Sequence, residues 1–328
     1  MMMLRTLALN ELYAPIQDDL AVVERIFDEE IANELEFANA LCDTVRSYRG
    51  KMLRPALLLL SGKAVGEVRG VHRTLAAVVE MVHMATLVHD DVLDHADTRR
   101  RQPTVATIAG NTAAVLLGDF LISHAFHLCS GLQNQHASRR IGATTNAVCE
   151  GELLQNHQRG NANLGEAGYL DIIARKTGSL TAVCCELGVK FAGADESVVA
   201  ALHDFGLSAG TAFQIVDDVL DIVGDAAEVG KSLGRDLAMG TPTLPTIHCL
   251  GSAAPAVVAE LTDAVRGAAT PSRKQVRTWL EETGSIEYAL STARRFVFDA
   301  LAQLDSLPAS DAKRSLSALA EFILQRRT

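Results

Sequence analysis

The amino-acid sequence predicts an all-α protein, a single large helical bundle, and three observations carry that expectation. Apolar residues recur every three to four positions from Gln17 to the C-terminus. Strand-like alternation bounded by turn residues is nearly absent. The stretches LAAVVEMVHMATLVH and FGLSAGTAFQIV are apolar nearly all round, which suits helices in the middle of a bundle rather than on its surface.

Taken in order, Pro15 opens a helix through Leu20, Val23, Phe27, Ile31 and Leu35 to about Ser47, and Gly50 ends that region. Pro55 fits the first turn of the next helix, PALLLLSGKAV, where a missing N–H costs nothing, and Gly66 and Gly70 punctuate its end. One long helix covers 71–97, broken by RRRQPTVATIAGNT with its Pro103 and Gly110. Further helices are expected over roughly 112–130, 136–158, 165–177, 179–192 and 195–223. A glycine-rich loop, GDAAEVGKSLGRDLAMGTPTLP, comes next, and about four more helices complete the chain, with Pro255, Pro271 and Pro308 near their boundaries. No linker, low-complexity tract or solenoid period interrupts the pattern, so residues 1–328 are read as one domain.

Composition narrows the function. With 328 residues, 48% hydrophobic and 21% charged, the chain is of ordinary globular type. A net charge of -10 without a basic stripe argues against nucleic acid as a partner. The six cysteines, Cys42, Cys129, Cys149, Cys184, Cys185 and Cys249, lie mostly in apolar helical stretches without CxxC spacing. They read as small buried hydrophobes, which fits a reducing cytoplasm. The N-terminal stretch shows no signal-peptide h-region. No uninterrupted apolar run reaches about 18 residues, so no transmembrane helix is expected, while contact with a membrane surface stays open.

The most informative motif is DDVLD, which occurs twice, at 90–94 and 217–221, each time within an apolar stretch. On a helix, residues four apart share a face, so Asp90 sits over Asp94 and Asp217 over Asp221, with Asp91 and Asp218 flanking them. One acidic helix face alone is most simply a solvated surface. Two identical copies on apolar helices need cations, and hard carboxylate oxygens with room for substrate phosphates suit Mg²⁺. Basic side chains accompany them: Arg49, Lys51 and Arg54 in RGKMLRP, and the run Arg99, Arg100, Arg101 just beyond Asp94. Alone, each is a solvated loop; beside a diphosphate, each is an anion clamp. His83 and His89 share the first acidic helix with Glu80, His89 reading by default as a core residue. Lys176 and Thr177 end a helix in ARKTGSL and Gln214 stands one turn before Asp217, where each is either a cap or a dipole aimed at the acids.

Together, RGKMLRP, EMVHMATLVHDDVLDHADTRR, GDFLISHAF, GELLQ, RKTGSL, FQIVDDVLD, GKSLGRDL and TLP, in that order, resemble the trans-polyprenyl diphosphate synthases over nearly the whole chain. The resemblance implies a helical bundle around a deep central cavity, usually a homodimer. It implies that Asp90, Asp91 and Asp94 with Asp217, Asp218 and Asp221 bind three Mg²⁺ ions that hold an allylic diphosphate, assisted by Arg99 and Lys231. Lys51, Arg54, His83 and Arg100 would hold isopentenyl diphosphate. Lys176, Thr177 and Gln214 would turn oxygens or charge toward the reacting end.

Ala85, five residues before the first Asp, and Thr86 are small where short-chain members of that family often carry an aromatic, so the resemblance is to long-chain members making C30 to C50 products. Phe120 or Phe126 is then the candidate floor of the cavity. A geranylgeranyl or farnesyl diphosphate synthase is the alternative, and a class I terpene cyclase or a non-catalytic synthase subunit the alternatives from other classes. The cyclase needs no RGKMLRP clamp, and a non-catalytic subunit should have lost an acidic cluster. Three positions depart from the family pattern: Arg49 for the first Gly of GGK, Arg101 for the Gly after the Arg pair, and Thr241 for a Lys after LxxG.

Overall fold

The computed structural model describes residues 9–224 and 234–326. Among these residues the protein is helical, with fourteen helices of eight residues or more. In chain order they are α1 (Gln17–Glu30), α2 (Glu36–Tyr48), α3 (Leu53–Val65), α4 (Gly70–Leu93), α5 (Asn111–Gly131), α6 (Gln135–His157) and α7 (Glu166–Ile173). They continue with α8 (Ser179–Ala192), α9 (Glu196–Val223), α10 (Leu244–Ser252), α11 (Pro255–Val265), α12 (Arg273–Glu282), α13 (Ser285–Gln303) and α14 (Asp311–Ile323). The one described sheet is a hairpin of β1 (Thr98–Arg99) and β2 (Gln102–Pro103).

Contacts divide the chain into two compact units, each assembled from separated stretches. The first holds Met1–Thr145, Leu180–Gly206 and Gln303–Leu319; the second holds Asn146–Ser179, Leu207–Ala302 and Ala320–Thr328. In the first unit α3 is buried at nearly every position from Pro55 to Ala64, and α8 at every position from Leu180 to Val189. Both bury all faces, as their composition dictates. They approach closely because Gly188 lies against α3: a Cβ there would sit 2.8 Å from Ser61 Cβ and press on the Leu58 carbonyl. His72 ties α4 to the same place. Its Nδ1 accepts the Arg69 N–H at 2.9 Å, so its Nε2–H is the donor that meets the Gly188 carbonyl at 3.0 Å. In the second unit Ile222, Cys249, Leu261, Val276, Trp279 and Leu280 form a core cluster.

Several boundaries differ from those read in the sequence. The single helix expected from Pro15 to Ser47 is two, because the Asn33 side chain accepts the Leu35 N–H at 2.9 Å and offers the backbone a turn in place of a helical bond. The helix bearing the first DDVLD stops at Leu93, leaving Asp94 as its cap. Lys176 and Thr177 do not end a helix: Ala174–Gly178 is a π turn that leads directly into α8. Among the described residues beyond the second DDVLD there are five helices of nine residues or more, where about four were expected. Five cysteines are buried as expected, and Cys149 is exposed.

Two helices bear on the membrane expectation. By length and composition α4 and α5 could each cross a bilayer, because their polar residues are too few to lower the average although they interrupt the run. The most apolar window of α4 is 67% buried within the protein, as a core helix would be, whereas that of α5 is 33% buried.

Candidate active site

In the first unit, the acids of the first DDVLD stand at the C-terminal end of α4. Asp91 is buried and takes a two-toothed grip from Arg99, with Nε 2.9 and 3.0 Å from its two oxygens and Nη2 2.8 Å away. That geometry is the strong form of a guanidinium–carboxylate pair. Arg99 is placed by the β1–β2 hairpin, whose turn is Arg100–Arg101. Both turn residues have positive φ, 50° and 66°, the sign pattern of a type I′ turn, which normally calls for Asn or Gly. The family's Gly at position 101 thus has a backbone reason, and Arg101 holds a conformation that costs an L-residue roughly 1–2 kcal/mol. Arg100 reaches back to donate to the Tyr48 carbonyl. Gly50 leaves it space, since a Cβ there would fall 2.6 Å from the Arg100 Cζ.

Around the middle of α4 positive charge accumulates. Burial, then Arg54, Arg99 and Arg100, hold the His83 imidazole well below its ordinary range, so it is neutral. Glu80 is 3% exposed, and burial pushes its carboxyl up to about 7 against the pull of Arg54, Arg49 and Arg100. Arg54 is half-buried, and its Nε has no hydrogen-bond partner among the described residues. Three of the four residues expected to hold isopentenyl diphosphate, Arg54, His83 and Arg100, therefore share one electrostatic neighbourhood; Lys51 is exposed in the turn before α3. Arg49, the other basic residue of RGKMLRP, has protein partners of its own. It grips Asp28 with Nη1 and Nη2 at 3.2 and 2.5 Å and lies over the Phe27 ring at 4.9 Å, fastening α2's end to α1.

His89 is hydrogen-bonded but half-buried rather than a core residue, its Nε2 3.2 Å from the Val115 carbonyl and 3.6 Å from Asp119 on α5. Ala85 is fully buried, Thr86 turns its hydroxyl to the His83 carbonyl at 2.7 Å, Phe120 lies 4.2 Å from the His124 ring, and Phe126 is exposed.

In the second unit, the acids of the second DDVLD lie in the last turns of α9. Asp218 is buried and hydrogen-bonded at both oxygens: the Tyr169 hydroxyl donates to Oδ2 at 2.6 Å and Gln214 Nε2 to Oδ1 at 2.8 Å. Thr177 Oγ1 donates in turn to Gln214 Oε1 at 2.9 Å, so Thr177, Gln214 and Asp218 form one chain of bonds. Lys176 pairs with Glu152 and donates to Gln155 Oε1 at 2.7 Å, both partners belonging to GELLQ on α6. Asp217 meets Arg326 at 3.1 Å, and that guanidinium stacks over Phe213 at 4.0 Å. Asp221 accepts the Asp236 N–H at 3.3 Å.

Asp236 joins this cluster although its motif, GKSLGRDL, gave no reason to single it out. Burial and then Asp218, Asp221 and Asp217 drive its carboxyl well above the ordinary range. Burial, with Asp217 and Asp221 beside it, pushes Asp218 up to about 7 despite the bonds from Tyr169 and Gln214. Four mutually repelling carboxylates of this kind are a donor set that suits a hard dication. The carboxylates are turned to separate partners, and among the described residues no three His, Cys, Asp or Glu side chains converge closely enough to hold an ion as they stand. Lys231 lies outside the described residues. Thr241 is buried, and its N–H donates to the Asp236 carbonyl at 2.8 Å.

Tyr169, Glu152, Asp236 and Arg326 were not found by sequence reasoning, and Glu80 was noted only as a neighbour of His83. Glu152 and Asp236 stood inside recognised motifs, and Tyr169 is seven residues, about two helical turns, before Lys176.

The family model described as Polyprenyl synthetase matches residues 36–283. The chain is similar to the octaprenyl diphosphate synthase of Escherichia coli, 33% identical over 319 residues, which is 97% of this chain and 98% of that protein. It is also similar to the geranyl-diphosphate-specific all-trans-nonaprenyl-diphosphate synthase of Rhodobacter capsulatus, 34% identical over 97% of this chain and 98% of that one. Among solved structures, the polyprenyl synthase of Caulobacter crescentus, complexed with calcium and isoprenyl diphosphate, matches with a TM-score of 0.94 at 31% identity, covering 99% of this chain and 100% of that one.

Proposed function

Because the chain belongs to the polyprenyl synthetase family, we propose that it is a prenyltransferase that condenses isopentenyl diphosphate head-to-tail with an allylic diphosphate, extending a trans-polyprenyl diphosphate to C30–C50. One observation carries this reading: each DDVLD ends an apolar helix and has its own retinue of bonded side chains, Arg99 on Asp91 and Tyr169 with Gln214 on Asp218. Carboxylates so arranged are held for a purpose other than solvation.

In this reading Asp90, Asp91, Asp94, Asp217, Asp218 and Asp221 hold three Mg²⁺ ions, and Arg99 and Lys231 assist the allylic diphosphate. When bound, the ions neutralise the charge that builds on the departing diphosphate. Lys51, Arg54, His83 and Arg100 bind isopentenyl diphosphate. The neutral His83 donates a hydrogen bond to a phosphate oxygen, while the guanidiniums supply charge. Lys176, Thr177 and Gln214 face the allylic end: the Thr177 hydroxyl and Gln214 carbonyl present oxygen dipoles, and the Lys176 ammonium favours the leaving group. The allylic C–O bond ionises, its electron pair leaving with the diphosphate, and the isopentenyl double bond then attacks the allylic cation to form the new C–C bond. A proton is then lost from the adjacent carbon to the released diphosphate. An apolar surround keeps water from the cation.

The long-chain assignment rests on Ala85 and Thr86 and on the named octaprenyl and nonaprenyl relatives. The whole chain acts as one synthase domain, a reading supported by a family match that runs through stretches of both compact units. The exposed Val115 and Leu116 on α5, with Ile108 just before it, support a homodimer, and a cytoplasmic enzyme releasing its apolar product to a membrane surface is consistent with the buried thiols. The test is to supply Mg²⁺, isopentenyl diphosphate and each C5 to C20 allylic starter and to size the products. Products of C30 or longer are expected. A main product of C20 or shorter overturns the long-chain assignment, and conversion of the starter without isopentenyl diphosphate overturns the transferase in favour of a cyclase.

A further inference from the structure

The Tyr169 hydroxyl is the one group bonded to Asp218 that the condensation leaves without a role. Tyr169 is 3% exposed on α7, and Asp218 is 6% exposed. At 2.6 Å the phenol donates to the very oxygen, Oδ2, that Gln214 does not reach. A buried phenol needs an acceptor, and any backbone carbonyl would serve that need. Here the acceptor is a carboxylate of the duplicated acidic motif.

The arrangement on either side makes the choice informative. Seven residues after Tyr169, the same helical stretch carries Lys176 and Thr177 in the π turn. Thr177 reaches the other oxygen of Asp218 through Gln214, at 2.9 and then 2.8 Å. One stretch of backbone, Glu166–Gly178, therefore governs both oxygens of one carboxylate, Oδ2 directly and Oδ1 through an amide. A carboxylate on a helix has a free rotor about χ2, and a single donor leaves it able to swing. Two donors on opposite oxygens fix its plane. Each oxygen accepts one hydrogen bond and retains a lone pair for a cation.

We propose that Tyr169 is a positioning residue: its hydroxyl fixes the Asp218 carboxylate in the orientation in which the second acidic cluster takes up Mg²⁺ with a diphosphate. This inference rests on the Mg²⁺–diphosphate reading of that cluster. Groups that orient a metal ligand through a hydrogen bond typically contribute 10- to 100-fold in metal affinity.

The test is Tyr169→Phe, which removes one oxygen and keeps the ring. Binding of inorganic diphosphate is measured by calorimetry across a Mg²⁺ series, together with the melting midpoint in chelator. Tyr169→Phe should need about tenfold more Mg²⁺ for half-saturation, with a melting midpoint in chelator close to that of the wild type. In an Asp218→Asn background the same substitution should add nothing to the Mg²⁺ requirement, since Tyr169 acts through Asp218. Unchanged Mg²⁺ dependence in Tyr169→Phe, or an equal loss in both backgrounds, overturns the proposal and leaves Tyr169 a packing residue. If the wild type itself binds no diphosphate at any Mg²⁺ concentration, the reading of the cluster falls and this inference with it. Should Tyr169→Phe fail to fold, 3-fluorotyrosine at position 169 keeps the hydroxyl as a more acidic donor. A shifted Mg²⁺ half-saturation at a constant melting midpoint is then expected, and no shift overturns the proposal.

Discussion

Substituting Glu80 with Gln tests the electrostatics of the first unit without touching an acidic motif. Glu80 is 3% exposed, and its carboxyl titrates at about 7 instead of 4.5 because burial outweighs the attraction of Arg54, Arg49 and Arg100. The folded chain therefore holds the Glu80 proton more tightly than the unfolded chain does. Stability from this group is intact below pH 4.5 and falls as pH rises to about 7. The difference between the two values amounts to about 3 kcal/mol. Glutamine has the same shape and no proton to lose. The stability difference between wild type and Glu80→Gln, from urea unfolding at a series of pH values, should move in favour of Gln by about 2–3 kcal/mol between pH 4.5 and pH 8. Loss of attraction to the arginines shifts the offset between the two proteins and not its slope above the titration. A difference that stays constant with pH, or moves in favour of Glu, would show that Glu80 is ionised throughout and that the arginines, not burial, decide its charge.

Three further outcomes are expected. Asp217→Asn should lower product formation by about 10²- to 10³-fold at saturating Mg²⁺, and steady-state rates that keep a tenth of wild-type activity would remove Asp217 from the ion-binding set. Ala85→Phe places a ring at a fully buried position of α4, so shorter products are expected by chromatography, with a stability cost of about 1–3 kcal/mol; an unchanged product length would move the cavity wall elsewhere. Gly188→Ala would press a methyl on the Leu58 carbonyl and on Ser61 Cβ at 2.8 Å, backbone that cannot step aside, so thermal melting should report a loss of about 3 kcal/mol or more; a melting midpoint equal to the wild type's would mean that α3 and α8 are not in contact there.

What could be read in the chain depended on how locally each feature is encoded. The core helices were legible because an apolar stretch of helical length marks an element buried on every face, as α3 and α8 show. The break between α1 and α2 was not, because Ile31 and Leu35 keep the period while one side-chain bond, Asn33 to the Leu35 N–H, ends the helix. The π turn was hidden by Gly178 and Ser179, which imitate a stop and a new N-cap. In the site, acids on apolar helices stand out wherever they occur. Tyr169 does not, since an aromatic on an apolar helix face looks like core until its hydroxyl is seen 2.6 Å from Asp218. Asp236 stands fifteen residues beyond Asp221, joined to it by a fold rather than by a spacing.

The π turn at Ala174–Gly178 bears on how this segment can change over generations. It holds one residue more than the α-helical turn it replaces, which shifts the helical phase of Lys176 and Thr177 by up to about 100° from the one Tyr169 would set. Loss of a single residue between Tyr169 and Lys176 would let the helix close up and swing Lys176 and Thr177 round to another side, parting Thr177 from Gln214. Substitutions there leave the phase alone. Outside Tyr169, Lys176 and Thr177 the segment is thus more open to drift in its letters than in its length, and a one-residue deletion should inactivate where point changes at the other positions are tolerated.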